Sequence, residues 1–130
     1  MTFSQKILLL AAGGVTPVGL SYGVDPSLTL DVLYGLSVSG TDQTHIYRGI
    51  MGLYLGFCAL WLTAALTPAA GLERSALISL VVFMFGIAAG RGLSLLIDGQ
   101  PHPLFVGYFL IEIVSGLLAM KALKTVSASG

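Results

Sequence analysis

Charge is what this chain most lacks. Of its 130 residues only 9% are charged, six Lys or Arg against six Asp or Glu, and the formal net charge is zero. Soluble domains carry about 25% charged residues. So few charges cannot cover a surface that faces water, which excludes an ordinary soluble domain. No basic patch exists to neutralise phosphates, so nucleic acid is not an expected partner. Cys58 is the one cysteine. It allows neither an intrachain disulfide nor a thiolate metal site. The two histidines, His45 and His102, fall at the edges of apolar runs, so no haem-type pair lies inside one. No H-x-x-x-H or E-x-x-H spacing supports a metal. No nucleophile stands beside a base, so neither an enzyme nor a cofactor is expected.

What the chain has is apolar length. It is 55% hydrophobic, with a mean hydropathy of +0.92. At about 20 apolar residues per membrane crossing, there is room for roughly four or five spans and no separate soluble domain. The pattern predicts an all-α integral membrane protein. It is a four-transmembrane-helix bundle forming one domain, 1–130, with spans at about 4–24, 44–66, 75–97 and 104–123. The first run follows Lys6 like a signal peptide. No small-x-small cleavage site precedes the polar loop and Thr16-Pro17 interrupts it, so it reads as a retained span.

The breaks have local causes. Asp25-Pro26 ends the first span, because the residue before a proline is pushed out of helical geometry. Residues 25–43 form the outer loop. There Leu28, Leu30, Val32, Tyr34 and Leu36 are interspersed with Thr, Asp and Ser. This reads either as a short interfacial helix capped by Ser27 or as a loop packed over the bundle mouth. Thr67-Pro68 ends the second span, and Gly71, Glu73 and Arg74 are expected in a short loop. Pro103 suits the first turn of the fourth span. Residues 124–130 read as a frayed tail.

Lys6, Arg74, Lys121 and Lys124 fall at one set of span ends. Asp25, Asp31, Asp42 and Asp98 occupy the loops at the other. Basic residues stay on the cytoplasmic side. Both termini are therefore expected in the cytoplasm, with a bacterial inner membrane as the location.

Three charges lie within spans. At 1.5 Å per residue, Arg48, Arg91 and Glu112 sit roughly 6, 9 and 12 Å from their helix ends, all on the outer side. Each costs about 3 kcal/mol in the bilayer if left alone. The three are expected to share one layer, with Glu112 pairing one or both arginines. Ser94 and Asp98 lie on the Arg91 face. The excess of arginine favours an acidic ligand over a cation, and Asp98 would offset it. Tyr22, Tyr34, Tyr47 and Tyr108 read as an aromatic belt at the membrane edge. Trp61 and Cys58 read as packing or lipid-facing residues.

Gly19-x-x-x-Gly23, Gly52-x-x-x-Gly56 and Gly86-x-x-x-Gly90 are helix-packing patterns, and Gly116 shares the face of Glu112. Small residues beside the charges predict close helix contact there, and so charges that point inward.

At these residues the chain resembles a bacterial family of four-span membrane proteins called domain of unknown function 4345. The shared pattern is Tyr47-Arg48-Gly49-x-x-Gly52, then Gly86-x-x-x-Gly90-Arg91 with Ser94, then Asp98-Gly99-x-Pro101 and finally Glu112. The resemblance implies a four-span architecture in which Arg48, Arg91, Asp98 and Glu112 belong to one recurring arrangement. It implies no activity.

Two readings follow. In the first, the protein is a non-catalytic accessory or assembly subunit. It contacts other integral membrane proteins, or copies of itself, through its glycine-rich helices, among membrane lipids. In the second, it binds or carries a small polar or anionic molecule, or a lipid, at the Arg/Arg/Glu layer. A membrane enzyme acting on a lipid or quinone is a third and weaker reading.

Overall fold

The computed structural model describes residues 1–128, apart from the side chains at positions 70, 127 and 128. All regular structure among them is helical. The helices are α1 (Phe3–Gly23), α2 (Pro26–Tyr34), α3 (Thr41–Leu66), α4 (Ala70–Ile97) and α5 (Pro103–Ala128). All but α2 are long and apolar enough to cross a membrane.

Local chemistry sets the boundaries. Thr2 and Gln5 form a reciprocal capping box that starts α1: the Gln5 N–H donates to Thr2 Oγ1, and the Thr2 N–H donates to Gln5 Oε1. Pro17 is accommodated within α1 without ending it.

The 25–43 connection contains α2. Its cap is Asp25, not Ser27. The Asp25 carboxylate accepts from the Leu28 N–H, and Ser27 is a second donor to the same oxygen. A carboxylate at the N-cap satisfies an orphan N–H and also faces the positive end of the helix dipole. Gly35 ends α2 at φ 67°, a left-handed cap that glycine adopts without strain. Of the two expectations for this segment the helix is the one found, and it is packed on the bundle with Leu30 and Tyr34 buried.

The other three helices run longer than their apolar cores. Gly71, Glu73 and Arg74, expected in a loop, form the first turn of α4. Glu73 there faces the positive helix end. Likewise α5 continues through Lys124 to Ala128, so the expected tail is helical that far. Residues 129 and 130 lie outside the described residues.

Two helix pairs make up the bundle. The most extensive packing is α1 on α3 and α4 on α5, and the two pairs meet over smaller areas. The core they share is centred on Trp61, Leu8, Leu77 and Leu80, all fully buried, with Ala119 and Ala122 from α5. Trp61 packs against Phe57 and Phe83, and its indole N–H donates to Ser79 Oγ at 3.0 Å. A fully buried tryptophan needs such a partner. Trp61 and Cys58 are therefore packing residues, not lipid-facing ones.

Close approach within the α1–α3 pair depends on glycine. A Cβ on Gly19 would stand 2.8 Å from Tyr54 Cβ, and one on Gly23 would stand 2.6 Å from Met51 Cβ. Gly116 of α5 is similarly covered by the Phe85 ring of α4. Gly52, Gly56, Gly86 and Gly90 are different, since no atom comes within 4 Å of a Cβ placed on any of them. Gly52 and Gly56 each lie two residues, about 200° of helix, from the buried Tyr54 and Cys58, so they face away from the core. Gly86 and Gly90 are exposed on the flank of α4, three and seven residues from the buried Phe83. None of the four packs closely against another helix among the described residues.

Candidate functional site

Arg91 and Glu112 meet where α4 faces α5. Arg91 lies six residues before the end of α4, and Glu112 nine residues into α5, so antiparallel packing brings them to similar depth. The Arg91 Nε–H donates to both Glu112 oxygens, at 2.9 and 3.0 Å. The side chains are 18% and 11% exposed. Neighbours on each helix account for this. Met84 and Ala88 place Arg91 on the buried stripe of α4, and Gly116 and Ala119 do the same for Glu112 on α5.

Aromatic rings surround the guanidinium. Its Cζ lies 5.4 Å from the Phe105 ring centre and 5.6 Å from that of Tyr108, within cation–π range. The Tyr22 hydroxyl of α1 stands beside it. From α2, Tyr34 closes the outer side. Its ring stacks on Phe105 at 4.5 Å, and its hydroxyl shares a 3.1 Å hydrogen bond with that of Tyr108. Burial first, and that hydrogen bond second, push the Tyr34 phenol up to about 12.

The tyrosines are thus not a simple belt at the membrane edge. Tyr34 is buried, Tyr22 stacks on Tyr47 at 6.2 Å, and Tyr22 and Tyr108 turn toward the ion pair. Tyr54, which the sequence did not single out, is also buried. Its signal was available in principle: Tyr54, Cys58, Trp61 and Ala65 recur at helical spacing, and together they mark the inner face of α3.

The remaining predicted site residues do not join the pair. Arg48 is exposed, and its Nε–H donates to the Gly23 carbonyl at 3.3 Å. There it caps the C-terminal end of α1, where orphan carbonyls and the negative dipole end attract a cation. It does share a face with Gly52, as the spacing implied, but that face is the outward one. Asp98 accepts a 2.7 Å hydrogen bond from Ser94 Oγ one turn away, and both are exposed. The buried unit is therefore a one-to-one Arg91–Glu112 pair. The expected excess of positive charge is absent from it.

Beside the pair lies a cleft of about 350 Å³. It occupies the seam between the two helix pairs. Leu10, Gly14 and Val18 of α1 form one wall, Leu80, Met84 and Ile87 of α4 another, and Tyr108, Ile111, Glu112 and Ser115 of α5 the third, with Tyr54 reaching in from α3. Leu10, Ile111 and Leu118 on its rim are exposed, so it opens on the apolar flank of the bundle. Among the described residues, no three His, Cys, Asp or Glu side chains converge as a metal site. Chemically, the cleft offers a hydrocarbon-lined space ending at a carboxylate and hydroxyl groups.

No curated protein and no solved structure matches the chain. A family model does match, over residues 3–123, and it is described as domain of unknown function (DUF4345). Four long apolar helices fit this assignment. The chain is a member of the DUF4345 family of membrane proteins.

Proposed function

We propose that the protein is a non-catalytic membrane protein that binds a lipid in the cleft beside Arg91 and Glu112. The carrying observation is the cleft itself. It is apolar along its length, opens on a flank made of exposed Leu10, Ile111 and Leu118, and ends at Glu112. Small-molecule sites are typically apolar pockets of about 300–1,000 Å³ with a few fixed polar groups. In the orientation proposed with this function, Lys6, Arg74, Lys121 and Lys124 face the cytoplasm of a bacterial inner membrane. The ion pair and α2 then lie toward the outer leaflet. The bound molecule enters from that leaflet.

A second reading, an accessory subunit of a larger complex, is favoured by Gly52, Gly56, Gly86 and Gly90. These present small, uncovered patches on the outward faces of α3 and α4. In membranes such patches allow close approach by another helix.

One experiment separates the two. The protein is extracted from native membranes in a mild, lipid-retaining detergent, and the intact particle is weighed by native mass spectrometry. Lipid-binding predicts a particle carrying a bound lipid that Gly14→Leu removes. Gly14 lines the cleft and has no atom within 4 Å of an added Cβ, so the larger side chain fills the space without a backbone clash. A particle with defined partner subunits and no lipid sensitive to Gly14→Leu supports the subunit reading instead.

A further inference from the structure

We infer that the cleft selects a single-chain lipid whose headgroup is uncharged and carries a hydroxyl. The inference rests on the lipid-binding reading above and specifies its ligand. Three features of the walls lead to it.

The first is charge. Glu112 lines the cleft and Arg91 does not. The guanidinium is engaged by the carboxylate and flanked by Phe105 and Tyr108. Arg48 and Asp98 are held elsewhere, at Gly23 and Ser94. An anionic headgroup entering the cleft therefore meets a carboxylate before it meets any cation. A cationic headgroup meets a carboxylate that Arg91 already neutralises. In a low-dielectric site, a ligand charge without its own partner is heavily penalised.

The second is hydrogen bonding. Tyr54 is 9% exposed, lines the cleft, and its hydroxyl has no hydrogen-bond partner in the described chain. Among the described residues no fully buried side-chain oxygen lacks a partner, so this hydroxyl keeps accessible surface where a ligand can meet it, and a phenylalanine would keep the same ring contacts to Tyr22 and Phe83. The Ser115 hydroxyl, on the α5 wall, has no partner among the described residues either. An ionised Glu112 only accepts, and one N–H of Arg91 does not saturate its two oxygens. The walls thus ask for a group that donates to Glu112 and accepts from Tyr54 or Ser115. A hydroxyl does both.

The third is size. About 350 Å³ is at the small end of ligand sites, which suits one hydrocarbon chain rather than two. Leu80, Ile87 and Leu118 line the way for that chain.

The test uses the full-length protein in detergent and native mass spectrometry with three probes of matched chain length. These are a monoacylglycerol, a fatty acid held at a pH where its carboxyl is ionised, and a diacyl phosphatidylglycerol. The expected result is that the monoacylglycerol binds at least about tenfold more tightly than the other two, and that Gly14→Leu abolishes its binding. Tyr54→Phe, which keeps the ring packing, weakens it by about tenfold, the scale of one lost hydrogen bond. Preference for either charged probe, with binding still lost in Gly14→Leu, overturns the headgroup assignment and leaves the lipid-binding reading intact. Unchanged monoacylglycerol affinity in both Tyr54→Phe and Ser115→Ala also overturns the assignment. If no probe shows binding that Gly14→Leu removes, the assignment and the lipid-binding reading both fail.

Discussion

Arg48 and Arg91 are the same residue type in two similarly apolar helices, yet their surroundings differ completely. Arg91 is held by a carboxylate and two rings, whereas Arg48 rests on a single carbonyl at 3.3 Å. Removing one partner of a buried ion pair costs about 3–5 kcal/mol, because the other charge is left unpaired. Glu112→Ala is therefore expected to lower the thermal unfolding midpoint in detergent substantially. Arg48→Ala, at an exposed helix end, should lose under about 1 kcal/mol. The double variant Arg91→Met/Glu112→Leu has no charge to strand and should recover at least half of the Glu112→Ala loss. If the double variant loses as much as the single variants Arg91→Met and Glu112→Leu added together, the two residues are not coupled.

At the scale of elements, the glycines sort by what faces them. A methyl group at Gly19 or Gly23 would intrude on Cβ atoms of α3, which cannot swing aside as a side-chain tip can. Gly23→Ala should cost about 1–3 kcal/mol through overpacking and part α1 from α3. Gly52→Ala, with open space around it, should be neutral or slightly stabilising through helix propensity. Unfolding of the two variants in the same detergent compares them directly, and equal losses would contradict the assignment of faces.

The short helix α2 gives a pH-dependent test. The Tyr34 phenol rises from an ordinary 10.0 to about 12, so the folded state favours the neutral form. Its contribution is fully present below pH 10 and is lost as pH rises through about 12. Hydrogen exchange of the α2 amides should quicken across that window, and Tyr34→Phe should remove the step. An unchanged step in Tyr34→Phe would assign it to another group.

For the whole molecule, the ends of the bundle are chemically distinct. Thr2 on the N-terminal side of α1 donates to Glu73 of α4 at 3.3 Å, and Lys121 of α5 lies over the Phe3 ring at 5.8 Å. These contacts gather the start of α1, the start of α4 and the end of α5 at one end of the bundle, together with Lys6, Arg74 and Lys124. The proposed orientation puts that end in the cytoplasm. Cys58 is buried at 6% exposure, so it contributes little background to thiol labelling. In intact cells a membrane-impermeant maleimide should label Ser37→Cys, in the connection between α2 and α3, but not Gly71→Cys at the start of α4. The opposite pattern would invert the orientation.

The sequence by itself determined that four helices are long and apolar enough to span and about where they break, while it left the 25–43 segment open between helix and loop. Apolar run length and Pro, Gly and Asp punctuation are local properties, and they act whatever the neighbours do. It also determined that Arg91 and Glu112 face the core, because Met84 and Ala88, and Gly116 and Ala119, mark the buried stripe of each helix. What only the tertiary structure decided is which small-residue faces are used. In an apolar helix the lipid-facing and core-facing sides share one composition, and the usual contrast between polar and apolar faces is missing. Gly19 and Gly23 meet α3, while a Cβ on Gly52, Gly56, Gly86 or Gly90 would meet no other helix among the described residues. For that same reason Arg48, on the Gly52 face, turned away from Glu112. The cleft is tertiary as well, since it exists only where the two helix pairs leave their seam incompletely filled.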